Sequence, residues 1–413
     1  HIDGQLDLMG ATLTNDDGPA LSAELLQVGS DAVLTNLTAT TGRGEYGAVR
    51  LLGADIAGNL DLTDASLTNE DGPALSAADL QVGSDALLTN LKATGHGERG
   101  AVWLPGACIA SHLDLRGATL TAEDGPALFA FDLQVGRDAV LADLEATGRS
   151  ERGVVRLPGA HISGNLIMSG HVSIRGDERV ILDLRNANVD TRFILWDAEF
   201  WIVAFGKPFA ERPKVMLNGF TYRVQPSSPD TGVWLQVLRQ CMPDYAPEPY
   251  KQLAEVCRTA GDEAQAKAVL IAQQDAYGKT LRQGDSRRHG ARVWHWVSRV
   301  TVRYGYQPSR ALWYLLAVLA VSCALLVVAD IQGWLVHPSA RGGGRCGIVE
   351  SVGSALDRTV PLLGFGVAGR CELSNATPAQ WIFAASLILQ VLSWVFVTLF
   401  VAGFTGIVRK SGT

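Results

Sequence analysis

The chain has 413 residues, with 35 Lys+Arg against 42 Asp+Glu for a formal net charge of −7, and it is 47% hydrophobic at 19% charged. That suffices for two or three domains and is too apolar for a disordered chain, while six cysteines without a Cys-x-x-Cys or a Cys/His cluster argue against a disulfide scaffold and a metal site. Residues 1–200 carry 29 acidic and 13 basic side chains, leaving 13 and 22 for the remainder, and so acidic a front half argues against nucleic acid as its partner. No charged and apolar leader follows His1.

An internal repeat fills the front half. HIDGQLDL at His1 returns as DIAGNLDL at Asp55, CIASHLDL at Cys108 and HISGNLIM at His161, at periods of 54, 53 and 53 residues. Within a copy the apolar residues recur at offsets of two and five, as at Leu60, Leu62 and Leu67 or Val102, Leu104 and Ile109, with no 3.6-residue stripe. Strands this short, separated by Gly and Ala, cannot build a hairpin sheet but can stack coil on coil. A right-handed parallel β-helix is therefore expected over 1–224, including a cap near its end for which Trp201–Val224 is the candidate. At roughly 20 residues and ~4.8 Å per coil, the repeats predict about ten coils and a rod on the order of 50 Å.

LDLTDASL, LDLRGATL, the linker PYKQLAEVCRTAGDEAQA and the junction RYGYQPSRALW make the chain resemble pentapeptide-repeat-like membrane proteins of actinobacteria over nearly its whole length. Loops such as TNEDGPALSA interrupt the strict Ala-[Asp/Asn]-Leu-x-x pattern. Proteins with this resemblance are often labelled membrane-associated oxidoreductases. The residues themselves offer no Gly-x-Gly-x-x-Gly between strand and helix, no haem-type Cys pair and no redox Cys-x-x-Cys, so neither an enzyme nor a cofactor is expected. The recurring loops Asn15–Pro19, Asn69–Pro73 and Ala122–Pro126 carry paired carboxylates. They read as solvated Asp-Gly-Pro turns, with Ca²⁺ binding or carboxylate-based glycoside hydrolysis as the sharper alternatives.

From Asp230 the pattern turns helical, and 225–286 reads as a helical hairpin linker in which Cys241 and Cys257 are core thiols. Residues 287–310 interleave Arg287, Arg288, Arg292, Arg299 and Arg303 with Trp294 and Trp296, the composition of a helix lying on a lipid surface. Two apolar runs follow, Ala311–Ala329 and Trp381–Val408, placing transmembrane helices at 311–330 and 379–408. Basic residues before the first and after the second, in the tail 409–413, put both ends and the β-helix on the cytoplasmic side of a bacterial inner membrane.

Residues 331–378 then face outside or re-enter the membrane. Cys346 and Cys371 lie there, where a disulfide can persist, and are a candidate pair. A span, a short amphipathic segment with a glycine turn and a second span resemble the pore module of two-span cation channels. The resemblance points to Asp357, Arg358, Thr359, Val360, Gly364, Phe365 and Gly366 as the pore-like segment, although Pro361-Leu362-Leu363 separates Thr359-Val360 from Gly364. Because two spans cannot enclose a water-filled path alone, a homo-oligomer is expected, a tetramer if the module is channel-like. The expected function is a gated channel with a β-helix sensor. The alternative is a non-conducting anchor whose β-helix docks a cytosolic assembly.

Overall fold

The computed structural model of the protein describes residues 1–42, 47–176, 180–196, 200, 206–208, 211–224, 231–283, 297, 299, 301, 303, 309–336, 347–359, 372–373 and 377–404. Two units divide the chain, His1–Ala276 and Tyr277–Thr413.

The first unit is a parallel β-solenoid of about seven turns, closed by helices. Its first coil has four strands, Leu6–Asp7, Thr12–Asn15, Leu21–Ser22 and Gln27–Val28, and each founds a parallel ladder with the coils that follow. The coil is four-sided despite the interrupting loops, which lie at the corner after the four-residue strand. Leu6 pairs with Ala32, Ala32 with Leu60 and Leu60 with Ala86, steps of 26, 28 and 26 residues. The coil is thus longer than the expected 20 residues and the coils fewer than ten. One 53-residue repeat makes two turns.

The inward side chains show why the repeat is two turns long. Up the first face run Leu60, Ala86, Leu113, Ala139 and Leu166, and up the second Leu67, Ala93, Leu120 and Ala146, all essentially buried. The third face alternates Leu75, Val102, Leu128 and Val155, and the fourth Val82, Ile109, Val135 and Ile162. A Leu-rich coil therefore sits on an Ala-rich one, so that large side chains fill the space that small ones leave in the next layer.

The corners obey the same alternation. The corner residues Leu25, Gly53, Asp79, Gly106, Asp132, Gly159, Asn186 and Gly219 all have positive φ, between 52° and 72°. Gly, Asn and Asp tolerate that conformation and Leu does not. Leu25 is the exception, and the residue is 78% exposed.

At the far end Lys214–Met216 and Thr221–Val224 extend the ladders, and helices complete the closure. Helix α1 (Thr231–Gln240) inserts Trp234 beside Phe193, at 5.6 Å between ring centroids, and Phe193 meets Phe220 edge-on at 4.8 Å. Helix α2 (Glu248–Thr259) buries Tyr250, Leu253 and Cys257, and its Gln252 side chain donates to the Tyr222 carbonyl. Lys214 Nζ reaches the Gln240 carbonyl at 2.7 Å, and the Val215 N–H reaches that of Cys241 at 2.8 Å. Helix α3 (Glu263–Gln283) opens with Asp262 accepting from the Gln265 N–H at 2.8 Å, an N-cap, and buries Ala266, Val269 and Ala272.

The second unit contains α4 (Ser309–Ile331), α5 (Ile348–Thr359) and α6 (Thr377–Phe404), with Leu335–Val336 antiparallel to Glu372–Leu373. Two segments, Ser309–Ile331 and Gln380–Ala402, are 23 residues each and apolar enough to cross a membrane. Only 22% of the first and 6% of the second is buried, unlike the core helix of a soluble fold.

Candidate functional site

The second unit is held by a seam between α4 and α5. Ser322 Oγ and Thr359 Oγ1 lie 2.6 Å apart, both nearly fully buried. One helical turn along each helix, Leu326 of α4 meets Ala355 of α5 in a small cluster with Ala329, lined by Cys323, Trp334 and Ile382. The helices run antiparallel here, and one turn further along each lie Asp330 of α4 and Ser351 of α5. Both are buried, and no hydrogen bond reaches Asp330 Oδ1. On the other side α4 packs on α6, where Tyr314 stacks with Phe396 at 5.5 Å.

Of the pore-like residues, Thr359 is thus a buried packing hydroxyl, Asp357 is half-buried on α5, and Arg358 lies in α5 with its side chain outside the described residues. Val360, Gly364, Phe365, Gly366, Cys346 and Cys371 lie outside the described residues. So do Arg287, Arg288, Arg292, Trp294 and Trp296. Arg299 is exposed in helical backbone, and Arg303 sits in a turn with φ of 46°. Ser322, Ser351 and Asp330 were not singled out in the sequence. Their signal is the four-residue spacing of Ser322, Leu326 and Asp330 against that of Ser351, Ala355 and Thr359.

The solenoid presents a different surface. On its four-residue strands Thr14, Thr40, Thr68, Thr94, Thr121 and Thr147 form one in-register column facing away from the core. The recurrence of a threonine at the third position of these strands every 26 to 28 residues is its sequence signal. On another corner the backbone N–H groups of Asn59, Asp85 and His112 donate in turn to the side chains of Asp31, Asn59 and Asp85, at 2.7, 3.0 and 2.9 Å. The Asn165 N–H donates likewise to Asp138 at 2.6 Å. Each carboxylate in this ladder is followed by Asn or His, so no two carboxylates meet directly. Burial pushes the Asp85 carboxyl up, but hydrogen bonds from the His112 N–H, the Ser111 hydroxyl and the His112 ring, with the charge of that ring, outweigh it and hold the group below its ordinary value.

Two of the three repeated acidic loops, those opening with Asn15 and Asn69, form Asx turns. Asn69 Nδ2 donates to the Pro73 carbonyl at 2.8 Å and its Oδ1 accepts from the Asp71 N–H at 3.1 Å, and Asn15 does the same with Pro19 and Asp17. Among the described residues no three His, Cys, Asp or Glu converge to hold a metal. Asp183 is fully buried and held by Arg185 through two 2.8 Å contacts, with Arg156 at 3.8 Å lying over the Phe129 ring. Cys241 and Cys257 are buried thiols, and burial pushes Cys241 up to about 11, against the pull of Lys214 and Arg212. That suppresses the thiolate.

No protein-family model matches the chain, and no curated protein and no solved structure matches it either. The class is therefore defined by the molecule itself: a parallel β-solenoid followed by two helices long and apolar enough to cross a membrane.

Proposed function

We propose that the protein is an oligomeric two-span protein of a bacterial inner membrane, with a cytoplasmic β-solenoid that senses or docks a ligand and a channel-like module formed by α4, α5 and α6. The observation that carries this reading is α5. At 12 residues, or ~18 Å, it is too short to span a bilayer, yet buried hydroxyls tie it to an apolar helix and a second apolar helix follows it. A short polar helix held between two spans is the element that a pore needs to bring a re-entrant segment to a central axis. The exposed apolar faces of α4 and α6, including Trp313, Trp381 and Trp394, suit lipid and neighbouring copies. No catalytic residue is assigned.

The experiment is cation flux from liposomes holding the purified full chain. Flux above that of empty liposomes, abolished by Gly364→Ala with Phe365→Ala, supports conduction. Flux unchanged by those substitutions contradicts it.

A second reading is favoured by the threonine column. A straight, repetitive face of small hydroxyls offers an extended docking surface, and in that case the spans tether the solenoid without conducting. Silent liposomes together with a specific partner bound along that face favour the tether.

A further inference from the structure

Asp330 is the one acidic residue of α4 and lies in its last turn. Three features leave its carboxylate uncompensated. It is only 8% exposed, its Oδ1 is buried without a hydrogen-bond partner, and the C-terminal end of a helix carries partial negative charge. The helix terminus does not relieve it, because the Gln332, Gly333 and Trp334 N–H groups are spent on the Val328, Asp330 and Ala329 carbonyls. No described cation answers it. The one basic residue of α4 is Arg310 at the opposite end, and α6 contains no charged residue at all. On α5, Arg358 falls beside Thr359 at the far end of the seam.

The corresponding position of α5, one turn beyond Ala355, is Ser351, fully buried, whose hydroxyl donates to the Gly347 carbonyl at 3.2 Å and keeps its lone pairs as acceptors. Glu350 lies about 100° around the helix and accepts from the Gly347 N–H at 3.5 Å, and Asp357 lies nearly two turns further on. One carboxylate oxygen and one hydroxyl oxygen with no positive partner are ligands for a hard cation, and a single negative charge matches a single positive one. We propose that Asp330 and Ser351 bind a monovalent metal cation, Na⁺ or its class, at the end of the α4–α5 seam. Filling the site locks α5 to α4. The site does not depend on conduction, since a protein that passes no ions can still bind one here.

The test is the thermal unfolding midpoint of the full chain in nanodiscs, titrated with NaCl and balanced with N-methylglucamine chloride to constant ionic strength. The midpoint rises with the logarithm of Na⁺ concentration in the unmodified protein. Asp330→Asn, which keeps the shape and removes the charge, abolishes the rise, and its midpoint equals or exceeds that of the unmodified protein without Na⁺. Ser351→Ala, which keeps the carboxylate, moves the half-maximal Na⁺ concentration at least tenfold higher and carries the test should Asp330→Asn fail to fold. A midpoint indifferent to Na⁺, a response to Ca²⁺ alone, or an unaltered titration in either variant overturns the proposal.

Discussion

Asp79 Oδ1 lies 2.4 Å from the point that a Cβ on Gly106 would occupy, one coil above it. The same relation joins Asp132 to Gly159 at 2.1 Å and Asn186 to Gly219 at 2.3 Å. A bulky acidic or amide corner therefore requires a glycine in the next coil. This relation, with the Leu/Ala alternation inside, makes two coils the unit of repetition.

Gly106→Ala places a Cβ on that carboxylate oxygen at a φ of 69°, and is expected to cost the solenoid about 1–3 kcal/mol in denaturant unfolding followed by β-sheet circular dichroism. Adding Asp79→Gly recovers part of the loss, and the two changes are not additive. Leu25→Asn, at the one corner of that column occupied by neither Gly, Asn nor Asp, stabilises by roughly 1 kcal/mol on the same measurement.

Trp234 closes the last coil, and its Nε1 is buried without a partner. Trp234→Ala costs about 3–5 kcal/mol, because it empties a cavity against Phe193 and Tyr222. Trp234→Phe removes the orphaned N–H with much of the packing kept and costs about 1 kcal/mol or less. Equal losses for both substitutions would show that the indole N–H finds a partner.

Ser322 and Thr359 satisfy each other beside the apolar contact of Leu326 with Ala355. Thr359→Val strands the Ser322 hydroxyl and lowers stability in detergent by about 1–3 kcal/mol, whereas Thr359→Val with Ser322→Ala regains most of it. A double variant no better than the sum of the single changes contradicts the pairing.

The Asp85 carboxyl titrates below its ordinary value of 3.8 in the folded chain, where hydrogen bonds from His112 and Ser111 favour the anion. A depressed folded value contributes stability that is complete above the unfolded value and is lost as pH falls through the folded one. The advantage of the unmodified protein over Asp85→Asn is therefore complete above about pH 5 and is lost progressively as pH falls below 3.8 through the folded value. Unfolding midpoints across that range check it.

Much of this architecture was legible in the repeat. HIDGQLDL and its returns announced stacked short strands, and the two apolar runs announced the long helices. The coil length was hidden, because Leu60 and Ala86 stand at equivalent points of successive coils yet look unlike in sequence. The helical closure was hidden too, since Phe193, Phe220, Tyr222 and Trp234 come from separate elements and meet only in three dimensions. The seam needed both partners on the page. Ser322 lies inside an apolar run, where a lone hydroxyl looks incidental until Thr359, 37 residues away, is brought against it.

The central claim is that copies of the second unit assemble with α5 directed at a common axis, and single-particle imaging of the full chain in nanodiscs tests it most directly. The account predicts a closed ring, four-fold for a channel-like module, with the segment 350–367 converging on the axis. A monomer, or a dimer with both spans facing lipid, would contradict it and leave the solenoid's surface as the seat of function.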